Sequence, residues 1–238
     1  MTDDYRERLY AAYSSTHAGV ADEKGGLLAF KRDILPRLPS STSADIVDLG
    51  CGQGELVRQL NLHGYRGAWG IDISAEQVEM AHRAGVAAVE HGDFRTAFDR
   101  SSLDVVTATD FFEHLTKSEV LEAFDAVHTS LRPSGRLILR VPNSASPFGG
   151  HYRYGDVTHE TSFTARSIRQ FANAAGFDRV EVYACPPPVH GAKSLARRAV
   201  WAIASGAMKV ALAAETGQLR RHVVTLNIVA VVHNPGPN

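Results

Sequence analysis

The stretch that decides the fold runs from Ile46 to Glu55 and reads IVDLGCGQGE. Its mostly apolar start predicts a buried strand, and three alternating glycines predict a tight loop that leads into a helix beginning near Glu55. The glycines are Gly50, Gly52 and Gly54. Because glycine has no Cβ atom, a ligand can approach such a backbone closely, and the first turn of the following helix offers unpaired N–H groups. The loop therefore predicts a ligand site beyond the carboxyl end of the strand.

Two common nucleotide-binding loops are excluded by the spacing of these glycines. The dinucleotide fingerprint G-x-G-x-x-G requires a third glycine at the position of Glu55. The phosphate-binding pattern G-x-x-x-x-G-K-[ST] does not occur in the chain. A glycine-rich tight turn without a ligand is the alternative interpretation of this stretch.

Outward from this loop, short β-branched runs alternate with amphipathic segments. This alternation predicts an α/β fold, with a mostly parallel sheet and helices on both faces. The predicted strands are Ile46–Leu49, Ala68–Ile73, Val86–Val89, Leu103–Ala108, Arg136–Val141, Val180–Tyr183 and Thr225–Val232. The last strand has no helix after it, which favours an edge or antiparallel position. Predicted helix caps are Ser74, Thr116 and Thr164, and Arg132–Gly135 predicts a turn.

Composition limits the class of protein. A chain of 238 residues is long enough for one well-packed domain, and a net charge of −1 gives no basic excess for binding nucleic acid. Two distant cysteines, Cys51 and Cys185, do not suggest a disulfide framework or a thiolate metal site. The chain shows neither a secretory signal nor an apolar run of about 20 residues, so we expect a soluble, cytoplasmic protein.

The glycine loop and four later motifs together resemble class I S-adenosylmethionine (SAM)-dependent methyltransferases, over about residues 45–142. The first three motifs follow successive predicted strands, and the fourth leads into the fifth strand. They are Asp72, the run from His91 to Phe94, the run from Thr109 to Leu115 and the run from Leu131 to Leu137. The resemblance implies a Rossmann-like sandwich with a seven-stranded, mostly parallel sheet and an N-terminal helical cap. We expect a single domain over 1–238, with the cap at 1–43, the SAM-binding core at 44–142, and an acceptor loop, an inserted helix and C-terminal strands at 143–238.

The same resemblance implies which residues bind SAM and its product S-adenosylhomocysteine. A carboxylate at the end of the second strand can accept hydrogen bonds from both ribose hydroxyls, and Asp93 with Phe94 matches the family's adenine-contacting position. The expected cofactor-binding residues are Asp48, Gly50, Cys51, Gly52, Gly54, Asp72, Ile73, Asp93, Phe94 and Asp110. Two of these have equally simple structural alternatives, since Asp48 can satisfy loop amides and Cys51 can be a small buried filler.

The segment 142–164 follows the fifth predicted strand and is rich in polar and aromatic side chains, which suits a sugar acceptor. Together with the helix after it, the segment is similar, less specifically, to methyltransferases of polysaccharide and glycan assembly. A hydroxyl is a poor nucleophile at pH 7 and gains roughly 10²–10⁴-fold from a general base. We predict His159 as that base, with His114 and His151 as rivals and with Asp156 or Glu160 orienting the ring. The other expected acceptor residues are Tyr152, Arg153 and Tyr154.

Several alternatives stay open at this point. A divalent metal held by side chains among Asp110, His114, His151, Asp156 and His159 is less favoured than a metal-free site, because no compact ligand motif is present. The Ala-rich helix predicted near 193–215 is a basic amphipathic segment that suits peripheral membrane contact, a lid or a homodimer contact. Small-molecule N- or O-methylation in natural-product metabolism, or a non-catalytic SAM-binding subunit, are the rival functions.

Overall fold

A computed structural model describes residue 9 and the ranges 23–95, 102–218 and 222–235. About half of the predicted N-terminal cap therefore lies outside the described residues. Its described part begins with helix α1, Glu23–Ala29, and continues through a π-helical turn at Phe30–Ile34 and a 3₁₀ turn at Leu35–Arg37.

Strands and helices then alternate along the chain, as the sequence predicts. The elements are β1 Ile46–Leu49, α2 Glu55–Leu62, β2 Trp69–Asp72, α3 Ala75–Arg83, β3 Val89–His91, β4 Leu103–Thr109, α4 Lys117–Ser130, β5 Leu131–Pro142, α5 Gly150–Arg153, α6 Ala165–Ala174, β6 Arg179–Ala184, α7 Ala192–Thr216 and β7 Asn227–His233. A 3₁₀ turn at Phe112–His114 lies between β4 and α4.

The seven strands form one sheet in the order β3-β2-β1-β4-β5-β7-β6. All neighbouring strands are parallel except the two pairs made by β7, which is antiparallel to both β5 and β6. The predicted Rossmann-like fold with a seven-stranded, mostly parallel sheet is thus confirmed. The strand order reverses between β1 and β4, and ligands of open α/β sheets bind beyond the carboxyl ends of the strands at such a point.

Alternation of side chains along β1 divides the core into two layers. Val47 and Leu49 belong to a cluster on one face with Phe124 of α4 and Ile168 of α6. Ile46 belongs to a cluster on the other face with Phe30 and Leu60 and with other residues of α2 and the N-terminal segment. Burial of β1 on both faces explains its nearly continuous apolar sequence.

One strand boundary and one turn were predicted wrongly. The third strand begins at Val89 instead of Val86, because the amide of Val86 donates to the carbonyl of Ala81 and completes the end of α3. Of the two positions expected for the last strand, the antiparallel one is confirmed, and β6 pairs on its outer side. The predicted turn at Arg132–Gly135 lies within β5 as a bulge opposite β4, with Ser134 at a φ of +67°.

Helix α7 is attached to the domain by few side chains. Only Ser194 and Ala213 are buried, whereas Leu195, Val200, Ile203 and Val210 are at least 59% exposed. The apolar stripe of this helix therefore does not pack on the described part of the domain, contrary to the expectation for a closed lid. Across the described residues, no helix combines the length and apolar character that a membrane span requires.

Candidate functional site

The glycine loop after β1 has the conformation that its sequence predicts. Gly50, Gly52 and Gly54 all have positive φ angles, of 63°, 53° and 75°. A Cβ atom on Gly50 would lie 2.4 Å from the ring of Phe111, so any side chain there would displace that ring. A Cβ atom on Gly52 would meet only Gln77 Oε1, at 3.9 Å, which leaves this part of the loop open for a ligand.

Asp72 lies at the end of β2 and connects the two neighbouring loops. Its Oδ2 accepts a hydrogen bond of 2.8 Å from the Gly52 amide, and its Oδ1 accepts one of 2.8 Å from the Ser74 amide. Each carboxylate oxygen can accept a second hydrogen bond. The next residue, Ile73, is 70% exposed and offers an apolar surface beside this carboxylate.

Asp48 lies beneath the loop and has a structural partner. Its side chain is 2% exposed, and its Oδ1 accepts a hydrogen bond of 2.8 Å from the Thr107 hydroxyl on β4. Burial raises the pKa of Asp48 to about 7, because the charged form loses its hydration. The loop amides use other acceptors, since Gly50 and Cys51 both donate to the carbonyl of Ile71. The Cys51 thiol is likewise buried, which raises its pKa and suits a small filler.

The expected adenine contacts are joined by an arginine that the sequence did not single out. Arg95 donates to Asp93 Oδ2 at 2.8 Å, and its guanidinium lies 4.6 Å from the centre of the Phe94 ring. It also pairs with Glu119 and Glu122 at the start of α4, at 3.2 and 2.9 Å. Phe94 itself is only 7% exposed and packs edge-on against Phe111. This arrangement fixes the loop after β3 against α4.

A second group of polar side chains follows β4. Asp110 has a φ of +53°, which is uncommon for a non-glycine residue, and pairs with Arg140 of β5 at 2.8 Å. The carbonyl of Glu113 then accepts hydrogen bonds from the amides of Glu160 and Thr161, at 2.7 and 3.0 Å. These bonds join the 3₁₀ turn after β4 to the predicted acceptor segment and bring distant parts of the sequence together.

The two histidines at this junction are in contact. The rings of His114 and His159 are 4.8 Å apart, centre to centre, in an edge-to-face arrangement. Burial, together with the neighbouring His159, lowers the pKa of His114 to about 4. His114 is therefore neutral at physiological pH.

The hydrogen bonds indicate which nitrogen of each imidazole carries the proton in the neutral form of the ring. His159 Nδ1 lies 2.9 Å from the carbonyl of Tyr152, which can only accept, so this nitrogen is the donor. The Thr158 hydroxyl donates to Asp156 Oδ1 at 2.6 Å and therefore accepts from His114 Nδ1 at 2.9 Å. Burial opposes ionisation of Asp156, but the hydrogen bonds from Thr158 lower its pKa overall. Both rings consequently have their lone pair on Nε2.

The expected orientation of His159 by Asp156 or Glu160 is only partly reproduced. Asp156 Oδ2 is 4.0 Å from His159 Nε2, while the backbone carbonyl of Tyr152 holds the other nitrogen. Through Thr158, Asp156 instead orients His114. Glu160 contributes its amide to the junction with the β4 turn.

The other predicted acceptor residues surround this junction in different ways. Arg153 donates to the carbonyls of His159 and Glu160, so it holds the backbone of the segment. Tyr154 is 83% exposed beneath that guanidinium, and Tyr152 is 37% exposed. The exposed ring of His151 packs beside Tyr152 at 5.5 Å, outside the group formed by His114 and His159.

Glu113 is a residue that the sequence analysis missed. Its side chain is 2% exposed, and one ligand atom from each of Glu113, His114 and His159 lies within 4.8 Å of the other two. Burial and the nearby Asp110 raise the pKa of Glu113 well above its ordinary value. The signal available in the sequence was a glutamate directly before His114, but nothing in the spacing indicates that His159 approaches them both.

Comparison with known proteins agrees with this architecture. The model of the methyltransferase domain family matches residues 24–182. The chain belongs to this family. A trans-aconitate 2-methyltransferase from Rhizobium leguminosarum bv. trifolii is 30% identical over 149 residues, which cover 58% of this chain and 56% of the relative. The O-methyltransferase resE of Aspergillus sclerotiorum is 32% identical over 108 residues, or 45% of this chain and 40% of the relative.

The chain thus spans about half the length of the curated relatives that it matches. Among solved structures, a SAM-dependent methyltransferase from Archaeoglobus fulgidus superimposes with a TM-score of 0.68, at 16% identity, over 94% of this chain and 99% of that one. The family is accordingly that of the methyltransferase domain, and the fold is that of SAM-dependent methyltransferases.

Proposed function

We propose that this chain transfers the methyl group of SAM to a hydroxyl oxygen of its acceptor. The observation that supports this most strongly is the cluster of His114, Asp156 and His159 beyond the carboxyl ends of β4 and β5. The ring of Phe111 abuts Gly50, and the turn that carries His114 starts at the next residue. A donor site and groups able to take up a proton therefore adjoin one another.

The donor half of the proposal depends on the glycine loop and Asp72. SAM, when bound, supplies a methyl group on a positively charged sulfur, and the sulfur becomes a neutral thioether when the methyl group passes to an acceptor oxygen. The residues' task is to hold and align this donor. We assign the ribose hydroxyls to the second lone pairs of the Asp72 carboxylate, and the nucleoside base to the surface formed by Ile73 and the loop that carries Asp93.

The acceptor half depends on the lone pair of His159. With Nδ1–H bonded to the Tyr152 carbonyl, Nε2 is the atom that can accept the proton of an acceptor hydroxyl. The oxygen would then attack the methyl carbon while the proton stays on His159, next to the carboxylate of Asp156. His114 contacts the same ring and is the rival base.

The finer identity of the acceptor is supported by composition alone. A sugar hydroxyl within a glycan or glycosylated metabolite suits the polar and aromatic segment 142–164, with its exposed Tyr152 and Tyr154. One relative is named an O-methyltransferase, which favours oxygen over nitrogen in general. Contact with a membrane or a second copy through 193–215 stays a prediction, for which the exposed stripe of α7 supplies an apolar surface.

Substitution of His159 tests the acceptor half. Incubating lysate with methyl-labelled SAM identifies the labelled product, and purified protein is then assayed at saturating acceptor. We expect His159→Ala to lower kcat by roughly 10²–10⁴-fold, as for loss of a general base, with unchanged affinity for S-adenosylhomocysteine.

His63→Ala is the matched control, because this histidine ends α2, at the end of the helix away from the glycine loop. It should retain the wild-type kcat. Wild-type turnover in His159→Ala would refute the assignment of the base, and labelling of amines alone would refute the hydroxyl acceptor.

A further inference from the structure

The cluster beyond β4 contains one more group than a general base requires. Glu113, His114 and His159 place a carboxylate oxygen and two ring nitrogens within 4.8 Å of one another. A histidine base works with a lone pair and an orienting partner, both of which His159 already has. The acidic third member therefore needs its own explanation.

Glu113 provides the independent observation. The residue is 2% exposed, and within the described ranges its Oε2 has no hydrogen-bond partner. A buried polar atom without a partner destabilises a fold, because it has lost the hydrogen bonds that water would supply and has gained none in return. Such an atom in a native protein is expected to meet a ligand, and here the nearest ligand atoms belong to two imidazoles.

The hydrogen-bond partners of the two histidines also favour a bound ligand at this cluster. Histidines that bind metals commonly donate their other ring N–H to a carbonyl, a carboxylate or a group linked to one, which fixes the ring and its tautomer. His159 donates to the Tyr152 carbonyl, and His114 is linked through Thr158 to the Asp156 carboxylate. In both rings the lone pair is consequently on Nε2.

We propose that Glu113, His114 and His159 bind a divalent cation of the first transition series. Two imidazoles and one carboxylate suit such ions, whereas Mg²⁺ and Ca²⁺ prefer sites built from oxygen alone. Bonds of about 2.1 Å would place neighbouring ligand atoms roughly 3.5 Å apart, so the side chains must close by about 1 Å. Three protein ligands leave coordination positions for an acceptor oxygen.

This inference rests on the proposed function for the position of the acceptor and changes how its hydroxyl is ionised. A hydroxyl oxygen that ligates the cation loses its proton more readily. With the lone pair of His159 bound to the cation, that proton would pass to solvent or to the carboxylate of Asp156, which lies beside His159. The sequence favoured a metal-free site because it contains no compact ligand motif, and the convergence of Glu113 with His159 is invisible in the spacing.

Titration with Co²⁺ tests the site without any assay of activity. Chelator-treated, desalted protein is titrated while the visible absorption of protein-bound Co²⁺ and the melting temperature are recorded. We expect one saturable site, a rise in melting temperature and displacement of Co²⁺ by Zn²⁺ but not by Mg²⁺. Glu113→Gln and His159→Ala should each weaken Co²⁺ binding at least 10-fold, while His63→Ala binds as the wild type does.

The possible outcomes separate the two proposals. Absence of a saturable Co²⁺ signal in the wild type, or equal affinity in Glu113→Gln, His159→Ala and His63→Ala, would overturn the cation site. If Glu113→Gln fails to fold, His159→Ala gives the same decision, because the side chain of His159 is less deeply buried than Glu113. If the protein binds no Co²⁺ and its methyl transfer is undiminished in chelator, the cation site is overturned but the proposed function stands. If the protein binds Co²⁺ but methylates no hydroxyl, the proposed function is overturned but the cation site stands.

Discussion

The carboxyl group of Asp48 is buried beneath the glycine loop, where it accepts a hydrogen bond from the Thr107 hydroxyl. Its pKa is raised to about 7 in the folded protein, against about 3.9 for an unperturbed aspartate. Between these two values the folded state holds a proton that the unfolded state releases. The contribution of Asp48 to stability must therefore fall as the pH rises through this window.

We predict that Asp48→Asn removes this pH dependence, because an amide oxygen can still accept from Thr107 and never ionises. Relative to the wild type, its free energy of unfolding should improve progressively between pH 4 and 7, by up to about 4 kcal/mol. Urea denaturation across this range measures the difference. Glu90→Gln, at an exposed position of β3, serves as the control and should follow the wild type. Parallel profiles for Asp48→Asn and the wild type would contradict the assignment.

Single residues differ in how far their roles could be predicted. The conformation of the glycine loop and the position of Asp72 at the end of β2 were predictable, because each belongs to a local pattern of strand, loop and helix. Glu113 and Thr158 were not, since their roles arise only when the turn after β4 hydrogen-bonds to a segment more than 40 residues later. The partner of His159 was missed for a different reason, because a backbone carbonyl leaves no trace in the sequence.

Helix α4 positions the turn that carries Glu113 and His114, and its start is fixed by a capping box. Thr116 Oγ1 accepts from the Glu119 amide at 3.4 Å, and the Glu119 carboxylate accepts from the Thr116 amide at 2.8 Å. Glu119 also pairs with Arg95, which connects this cap to the donor side of the site.

We predict that Thr116→Ala lowers the free energy of unfolding by about 1 kcal/mol, the usual effect of losing an N-cap. Thr129→Ala is the control, because this exposed hydroxyl bonds only within the last turn of the same helix. It should change stability by less than about 0.5 kcal/mol. Equal effects of the two substitutions in chemical denaturation would show that the cap does not hold the helix start.

At the level of elements, the sequence predicted which segments form strands and helices better than it predicted which strands lie next to one another in the sheet. The caps at Thr116 and Thr164 were confirmed, since capping is encoded within four residues. The central position of β7 was not predicted, because pairing with β6 depends on contacts between distant segments. The start of β3 was misplaced, since Val86 suits either a strand or a helix end.

The whole sheet brings the two halves of the site together. Its order reverses between β1 and β4, so the loops that follow these strands diverge and leave a crevice between them. The glycine loop borders this crevice on one side and the turn with Asp110, Glu113 and His114 on the other, with Phe111 packed against Gly50 between them. This topology was predictable from the alternation of strands and helices, whereas the detailed contacts across the crevice were not.

Calorimetric titration with S-adenosylhomocysteine tests the central claim most directly. We predict that the wild type binds one equivalent and that Asp72→Ala binds roughly 10- to 150-fold more weakly, as expected for loss of about 1.5–3 kcal/mol from hydrogen bonds to a charged group. Circular dichroism checks that the variant is folded, because Asp72 also holds the amides of Gly52 and Ser74. Glu90→Ala should bind as the wild type does. Absence of binding heat with either S-adenosylhomocysteine or SAM, or unchanged affinity in folded Asp72→Ala, would contradict the account.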